Sequence, residues 1–226
     1  MVLTRGLKYL EEARETESFE AASIYSTFAN YHAVIDEWDE TSAWAEKALE
    51  VGEKAQNFGA VAEALAMKGS FLTDTGRLDE GLPLWERALD VALQHEIYEK
   101  ALFCLLNLSV YTYPRDLSKA RELQLRQLEL CKRVNYVAGQ AEGWGWLSVL
   151  DSIRGDWAAA IEESRKAIEI HDRLGLSIPW LFFSRGLLFL SMGVFHADHL
   201  PRQVTMFLTG IRILNELLEA GERTAG

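Results

Sequence analysis

Gly69 to Leu89 reads GSFLTDTGRLDEGLPLWERAL, and the spacing of its small and large apolar residues decides the fold. Gly69 and Leu72 stand three apart, Gly76 interrupts, Leu78 restarts the pattern, and Gly81, Trp85, Ala88 and Leu89 follow at helical steps. Steps of three and four keep side chains on one face of an α-helix. A glycine between two such runs can take the left-handed conformation that closes a helix without a Cβ penalty. Asp79 and Glu80 then fall in the first turn of the second run, where their charge suits the helix dipole. The stretch predicts two helices joined by a tight turn, each apolar along one stripe.

The same order recurs in both directions. Gly6, Leu10 and Ala13 repeat the second half of the stretch, so the chain opens on an unpaired second helix. Tyr25, Phe28 and Ala29, a turn at Asp36 to Trp38, then Ala45, Ala48 and Leu49 make one full unit. Trp144, Leu147 and Ser148, a turn at Gly155 to Trp157, then Ala160, Ser164, Ala167 and Ile168 make another. Between them, Leu105 to Ser109 precedes Tyr113-Pro114-Arg115-Asp116, where proline breaks the helix and Asp116 is a candidate N-cap for the next. Ser177 and Pro179 open a fifth unit with Leu187, Leu190, Ser191 and Val194, then Phe207, Gly210, Ile211 and Leu214.

This order of small residue, large apolar residue, glycine turn, aromatic and alanine resembles the tetratricopeptide repeat. Gly81 replaces the usual alanine and Lys68 stands where an apolar residue is commoner. The late small position falls at Ala13, Ala48, Ala88, Gln127, Ala167 and Gly210, with spacings of 35, 40, 39, 40 and 43 residues, against about 34 in the standard repeat. Periods near 40 resemble the longer repeats of bacterial regulators, notably the sensor arrays of signal-transducing ATPases and maltose-activator-type transcription factors. The resemblance implies an all-α, right-handed α-solenoid of five helix-turn-helix repeats preceded by one unpaired helix. It implies one superhelical domain: residues 1–16 as the orphan helix, repeats at 17–56, 57–96, 97–135, 136–175 and 176–220, and a frayed tail at 221–226. Within it, small residues at Ala29, Gly69, Ser109, Ser148 and Ser191 should let paired helices approach, while Trp38, Trp85 and Trp157 fill the gaps between pairs.

Composition agrees with a soluble folded chain, at 49% apolar and 25% charged residues. The formal charge is −11, and residues 1–100 hold 9 Lys/Arg against 20 Asp/Glu. Without a clustered basic surface, nucleic acid is excluded as a partner. No stretch reads as a secretory signal or membrane span; Arg185 and two serines interrupt the apolar run at 178–195. Cys104 and Cys131 lack metal spacing and read as reduced core thiols of a cytoplasmic protein.

In the family, the first helix of each pair lines a concave binding face. Carried onto this chain, that face comprises Ser26 and Asn30; Glu63, Ala66, Ser70 and Thr73; Leu106, Val110 and Tyr113; Glu142, Gly145, Val149 and Ser152; and Arg185, Leu188, Met192 and Phe195. Of the lysines, arginine and asparagines with which chaperone adaptors of the family grip a peptide carboxylate, only Asn30 is present, so that role is rejected. No nucleotide-binding, metalloprotease or hydrolase motif occurs. His196 and His199 lack a third ligand and read as a solvated turn. The expectation is a noncatalytic scaffold with no cofactor and no metal, binding a protein or peptide on its concave face or apolar terminal helices. A basic segment would suit the acidic N-terminal half, and a homodimer through the C-terminal apolar repeat is a further expectation. The alternative is a ligand- or peptide-sensing domain of a larger signalling ATPase or transcriptional regulator.

Overall fold

A computed structural model describes residues 2–175 of the chain. The expected fifth repeat and tail, with Arg185, Leu188, Met192, Phe195 and the His196 to His199 turn, lie outside the described residues. Described residues form helices throughout: α1 (Val2–Ala13), α2 (Phe19–Val34), α3 (Trp38–Lys54), α4 (Phe58–Asp74), α5 (Leu78–Gln94), α6 (Tyr98–Thr112), α7 (Leu117–Arg133), α8 (Val137–Arg154) and α9 (Trp157–Leu174). They fall into two compact units, Met1–Thr112 and Tyr113 onward. The boundary lies between the two helices of the expected third repeat.

In the first unit α2 pairs with α3 and α4 with α5, and successive pairs meet through α3 on α4 and α5 on α6. The first helices also stack directly, α2 on α4 and α4 on α6. Each pair buries a stripe that neither helix could bury alone. Around Gly69 that stripe becomes a close crossing. Trp85 is fully buried, and a Cβ placed on Gly69 would stand 2.7 Å from its Cδ1. Four residues before Trp85, a Cβ on Gly81 would meet Gly69 O at 2.8 Å and Thr73 N at 3.0 Å. The crossing therefore requires both glycines, and the Trp85 ring that they admit reaches Phe103 and Tyr111 of α6 at centroid distances of 5.6 and 5.9 Å. Trp38 and Trp157 do not play this part: each is the half-buried first residue of its helix, α3 and α9. Elsewhere the corresponding buried positions belong to Ala45 and Ser164.

One device closes nearly every turn. The amide three residues past the helix end donates back five residues, as in Arg77 N to Leu72 O at 2.7 Å and Asn57 N to Gly52 O at 2.8 Å, which is the Schellman pattern. It needs one left-handed residue per turn. Gly76 and Gly155 meet that need with φ of 86° and 82°, but Asp36, Gln56, Glu96 and Asn135 meet it with side chains, at φ between 54° and 57°. N-caps follow the short polar residues: Ser18 accepts from Ala21 N, Asn57 from Ala60 N, Asp116 from Lys119 N and Asp156 from Ala159 N. Asn57 does more, since its Nδ2 donates to Phe19 O and Ser23 Oγ, each at 2.8 Å, and ties α4 to α2.

Candidate ligand-binding face

Glu63, on α4, collects side chains from three first helices. Ser26 Oγ donates to its Oε2 and Asn30 Nδ2 to its Oε1, both at 2.9 Å, from α2. Lys100 Nζ on α6 stands 3.2 Å from Oε1. The carboxylate is thus held from one side by neutral donors and countered from the other by a cation. Glu63 and Lys100 keep 13% and 25% of their side-chain surface exposed, so a solute can still reach the pair. One level further along, Tyr111 Oη donates to both oxygens of Asp74, at 3.0 and 3.1 Å. Partial burial nevertheless holds the Asp74 carboxyl above its ordinary range.

The structure separates the expected face into two groups. Ser26, Asn30 and Glu63 come together as described. Ala66, Ser70 and Thr73 are buried, and Thr73 faces α5, where its Cγ2 abuts the Gly81 site. Leu106 and Val110 are half-buried on α6, and Tyr113 is exposed in the turn after it. Lys100 was absent from the expected set because it lies six residues before Leu106, the first residue of that set on α6. Its sequence signal is weak: one lysine beside Glu99 in the first turn of a largely apolar helix.

In the second unit, Glu142, Val149 and Ser152 are half-buried on α8 and Gly145 is buried. Burial raises the Glu142 carboxyl above its ordinary range. Deeper in this unit Arg121 ties three helices together. Its Nε lies 2.9 and 3.0 Å from the two oxygens of Asp151 on α8, and one terminal nitrogen lies 3.2 Å from Glu163 on α9. Arg154 adds a 3.2 Å contact to Asp151. Both carboxylates are buried. Burial, followed by the charge of Asp151, pushes Glu163 up to about 8. Sharing one guanidinium, two buried acids cannot both ionise cheaply.

The thiols are poorly suited to nucleophilic work. Burial pushes Cys104 up to about 12 and Cys131 up to about 11, far from the thiolate that reactivity requires. Among the described residues no group of three or more His, Cys, Asp or Glu is placed to hold a metal ion. Among them, too, no helix is long and apolar enough to cross a membrane.

No protein-family model matches the chain, and no curated protein does. Solved structures do. A sensor-bearing signal transduction ATPase from Pyrococcus horikoshii, described as having a tetratricopeptide repeat sensor, aligns with a TM-score of 0.72 at 16% identity, over 95% of this chain and 36% of that one. This chain has the tetratricopeptide-type repeat fold. Its described residues are all-α, arranged as helix-turn-helix repeats of the solenoid type. BtubC (BKLC) from P. vanneervenii aligns at a TM-score of 0.74 and 16% identity, covering 95% of this chain and 87% of that one. A Rap protein complexed with Competence and Sporulation Factor aligns at 0.69 and 17%, over 92% of this chain and 58% of that one. The chain therefore spans little more than half of the Rap protein and about a third of the ATPase.

Proposed function

We propose that this chain is a noncatalytic repeat scaffold that binds a protein or peptide segment on its first-helix face. The observation that carries the reading is Glu63 held by Ser26 and Asn30 and countered by Lys100. A carboxylate oriented before the ligand arrives loses little further freedom on binding. Lys100 neutralises it in the free protein, and a basic group of the ligand can take its place. In the same unit, half-buried Leu106 and Val110 offer apolar contact. The matching ligand is a segment with a basic residue flanked by apolar ones. In the second unit Glu142, Val149 and Ser152 offer a similar mixture on α8.

Two neighbours support the ligand class. One Rap structure is complexed with Competence and Sporulation Factor, and another, the Rap conjugation gene regulator of plasmid pLS20, is in complex with the Phr* peptide. The match to part of a signalling ATPase that carries a tetratricopeptide repeat sensor favours a second reading, in which the same face senses a ligand for a larger regulator. A cytoplasmic setting belongs to the proposal and rests on two free, buried cysteines.

Peptides selected from a displayed library against the full chain provide the test. Binding should weaken at least tenfold in Glu63→Gln, disappear in the Leu106→Arg, Val110→Arg double variant, and survive Asp90→Lys on the exposed side of α5. Undiminished binding to the double variant, with its circular dichroism unchanged, would remove the first-helix face from consideration. An extended reading frame carrying a nucleotide-binding or DNA-binding region would decide for the sensing role.

A further inference from the structure

Side-chain contacts between the first helices of the first unit fall on two rungs. Ser26 of α2, Glu63 of α4 and Lys100 of α6 stand at successive intervals of 37 residues and touch in that order. The same interval joins Asp74 of α4 to Tyr111 of α6, whose hydroxyl donates to the carboxylate. Eleven residues separate Glu63 from Asp74, three helical turns to within about 20° of azimuth, so the two carboxylates share one face of α4 about 16 Å apart. The second rung is the more negative. Lys100 counters Glu63, whereas the group that holds Asp74 is a neutral phenol. Asp74 is the last residue of α4, Tyr111 lies in the last turn of α6, and Asp36 follows the end of α2. A helix carries the equivalent of roughly half a negative charge at its carboxyl end, and neither α4 nor α6 has a basic residue in its last turn to offset it. His32, in the last turn of α2, is taken up by Glu37 at 2.6 Å. Burial raises the Asp74 carboxyl above its ordinary range, the Tyr111 hydrogen bond works against that, and the charge of Asp36 raises it further. Asp74 and Asp36 are exposed and Tyr111 is half-buried, so a ligand can reach this rung.

We infer that the partner segment bound on this face is extended and carries two basic residues, one for each rung, the second seated at Asp74. The inference rests on the Glu63 reading and adds to it the spacing of the ligand. Charge complementarity argues for the second basic residue: a lysine or arginine at Asp74 meets a carboxylate, the charge of Asp36 and the carboxyl ends of three helices, with no cation of the protein to displace. The helix rise sets the interval. An extended chain advances about 3.3 Å per residue, so about 16 Å corresponds to about five residues, and the length of the basic side chains takes up one residue either way. Leu106 and Val110, half-buried on α6, fall between Lys100 and Tyr111 along that helix and suit apolar residues between the two basic ones.

The test is calorimetry on the full chain with two synthetic nine-residue peptides of identical composition. Both are built of alanine, leucine and valine; one has lysine at its second and seventh positions, the isomer at its second and third. At about 50 mM salt, where charges are weakly screened, the spaced peptide should bind about five- to tenfold more tightly than the isomer. Asp74→Asn, which can still accept from Tyr111, should bring the two to equal affinity with circular dichroism unchanged. Glu63→Gln should weaken both. Equal binding of the two peptides by the wild type, or an advantage of the spaced one that survives in Asp74→Asn, would overturn the second anchor while Glu63→Gln still reports on the first. If Glu63→Gln weakens neither peptide, or neither binds the wild type, the Glu63 reading fails and this inference with it. Self-association of the chain that Asp74→Asn abolishes would also overturn it, by making a second copy the occupant.

Discussion

Replacing Gly81 with alanine should destabilise the first unit, although repeat pattern and helix propensity both argue the opposite. Alanine is the usual residue of the tetratricopeptide pattern at this position, and in a helix interior it is favoured over glycine by about 1 kcal/mol. Against that stands the crossing of α5 over α4. The new Cβ would lie 2.6 Å from Thr73 Cγ2, 2.8 Å from Gly69 O and 3.0 Å from Thr73 N. A methyl group can turn away, but the other two atoms are backbone, so the helices themselves must separate around a fully buried Trp85. Overpacking of this kind costs about 1–3 kcal/mol and more where the backbone must shift. Because two of the three contacts are backbone, the upper part of that range applies, about 2–3 kcal/mol, and subtracting the propensity gain of about 1 kcal/mol leaves a net loss of about 1–2 kcal/mol. Urea unfolding followed by circular dichroism measures it, with the slope checked for constancy. Gly59→Ala is the control: its nearest contact is Asn57 Oδ1 at an ordinary 3.5 Å, so it should be neutral or stabilising by up to about 1 kcal/mol. Adding Thr73→Ser to Gly81→Ala removes one of the three contacts and should restore only part of the loss. Should Gly81→Ala raise the midpoint as Gly59→Ala does, the steric reasoning fails.

Glu163 carries a folded-state pKa raised to about 8, so the folded chain keeps a proton that the unfolded chain releases near the ordinary carboxylate value of about 4.3. Its contribution is complete below that value and is lost as pH rises through the folded one; melting temperature should decline between about pH 5 and 8 more steeply in the wild type than in Glu163→Gln. Arg121→Met leaves Asp151 buried with only the half-exposed Arg154 as a cation partner and should cost about 2–4 kcal/mol in denaturant unfolding, at the lower end if Glu163 and Asp151 share a proton. Cys104 and Cys131, both buried with raised pKa values, should react with iodoacetamide at pH 8 at the rate of local or global opening, and both should label fully in urea. Glu96→Gly relieves a left-handed side chain at φ 56° and should stabilise by up to about 1 kcal/mol, read as a higher urea midpoint.

The sequence by itself determined the helices, their order and the repeat, because these follow from local rules. Three- and four-residue spacing marks a helix face, glycine or proline marks a break, and Asp116 marks a start, all without knowledge of any distant residue. The left-handed turn residues were only half visible: Gly76 and Gly155 announce themselves, whereas Gln56 and Glu96 do not, since their conformation is imposed by the packing of helices on either side. Tertiary structure alone decided which small residues are steric necessities. Repeat register already marks Gly69 as a point of close approach, but Gly81 looks like a weak helix former where the pattern has alanine, and only the placing of Trp85 between α4 and α6 makes both of them the contact surface of a crossing. It also decided the candidate site. Ser26, Asn30 and Glu63 could be assigned to one face by repeat register, but their convergence on a single carboxylate, the arrival of Lys100, and the burial of Ala66, Ser70 and Thr73 depend on how three first helices stack. Periodicity states which side of a helix is apolar, and only the approach of its neighbours fixes which polar groups there are left for a ligand.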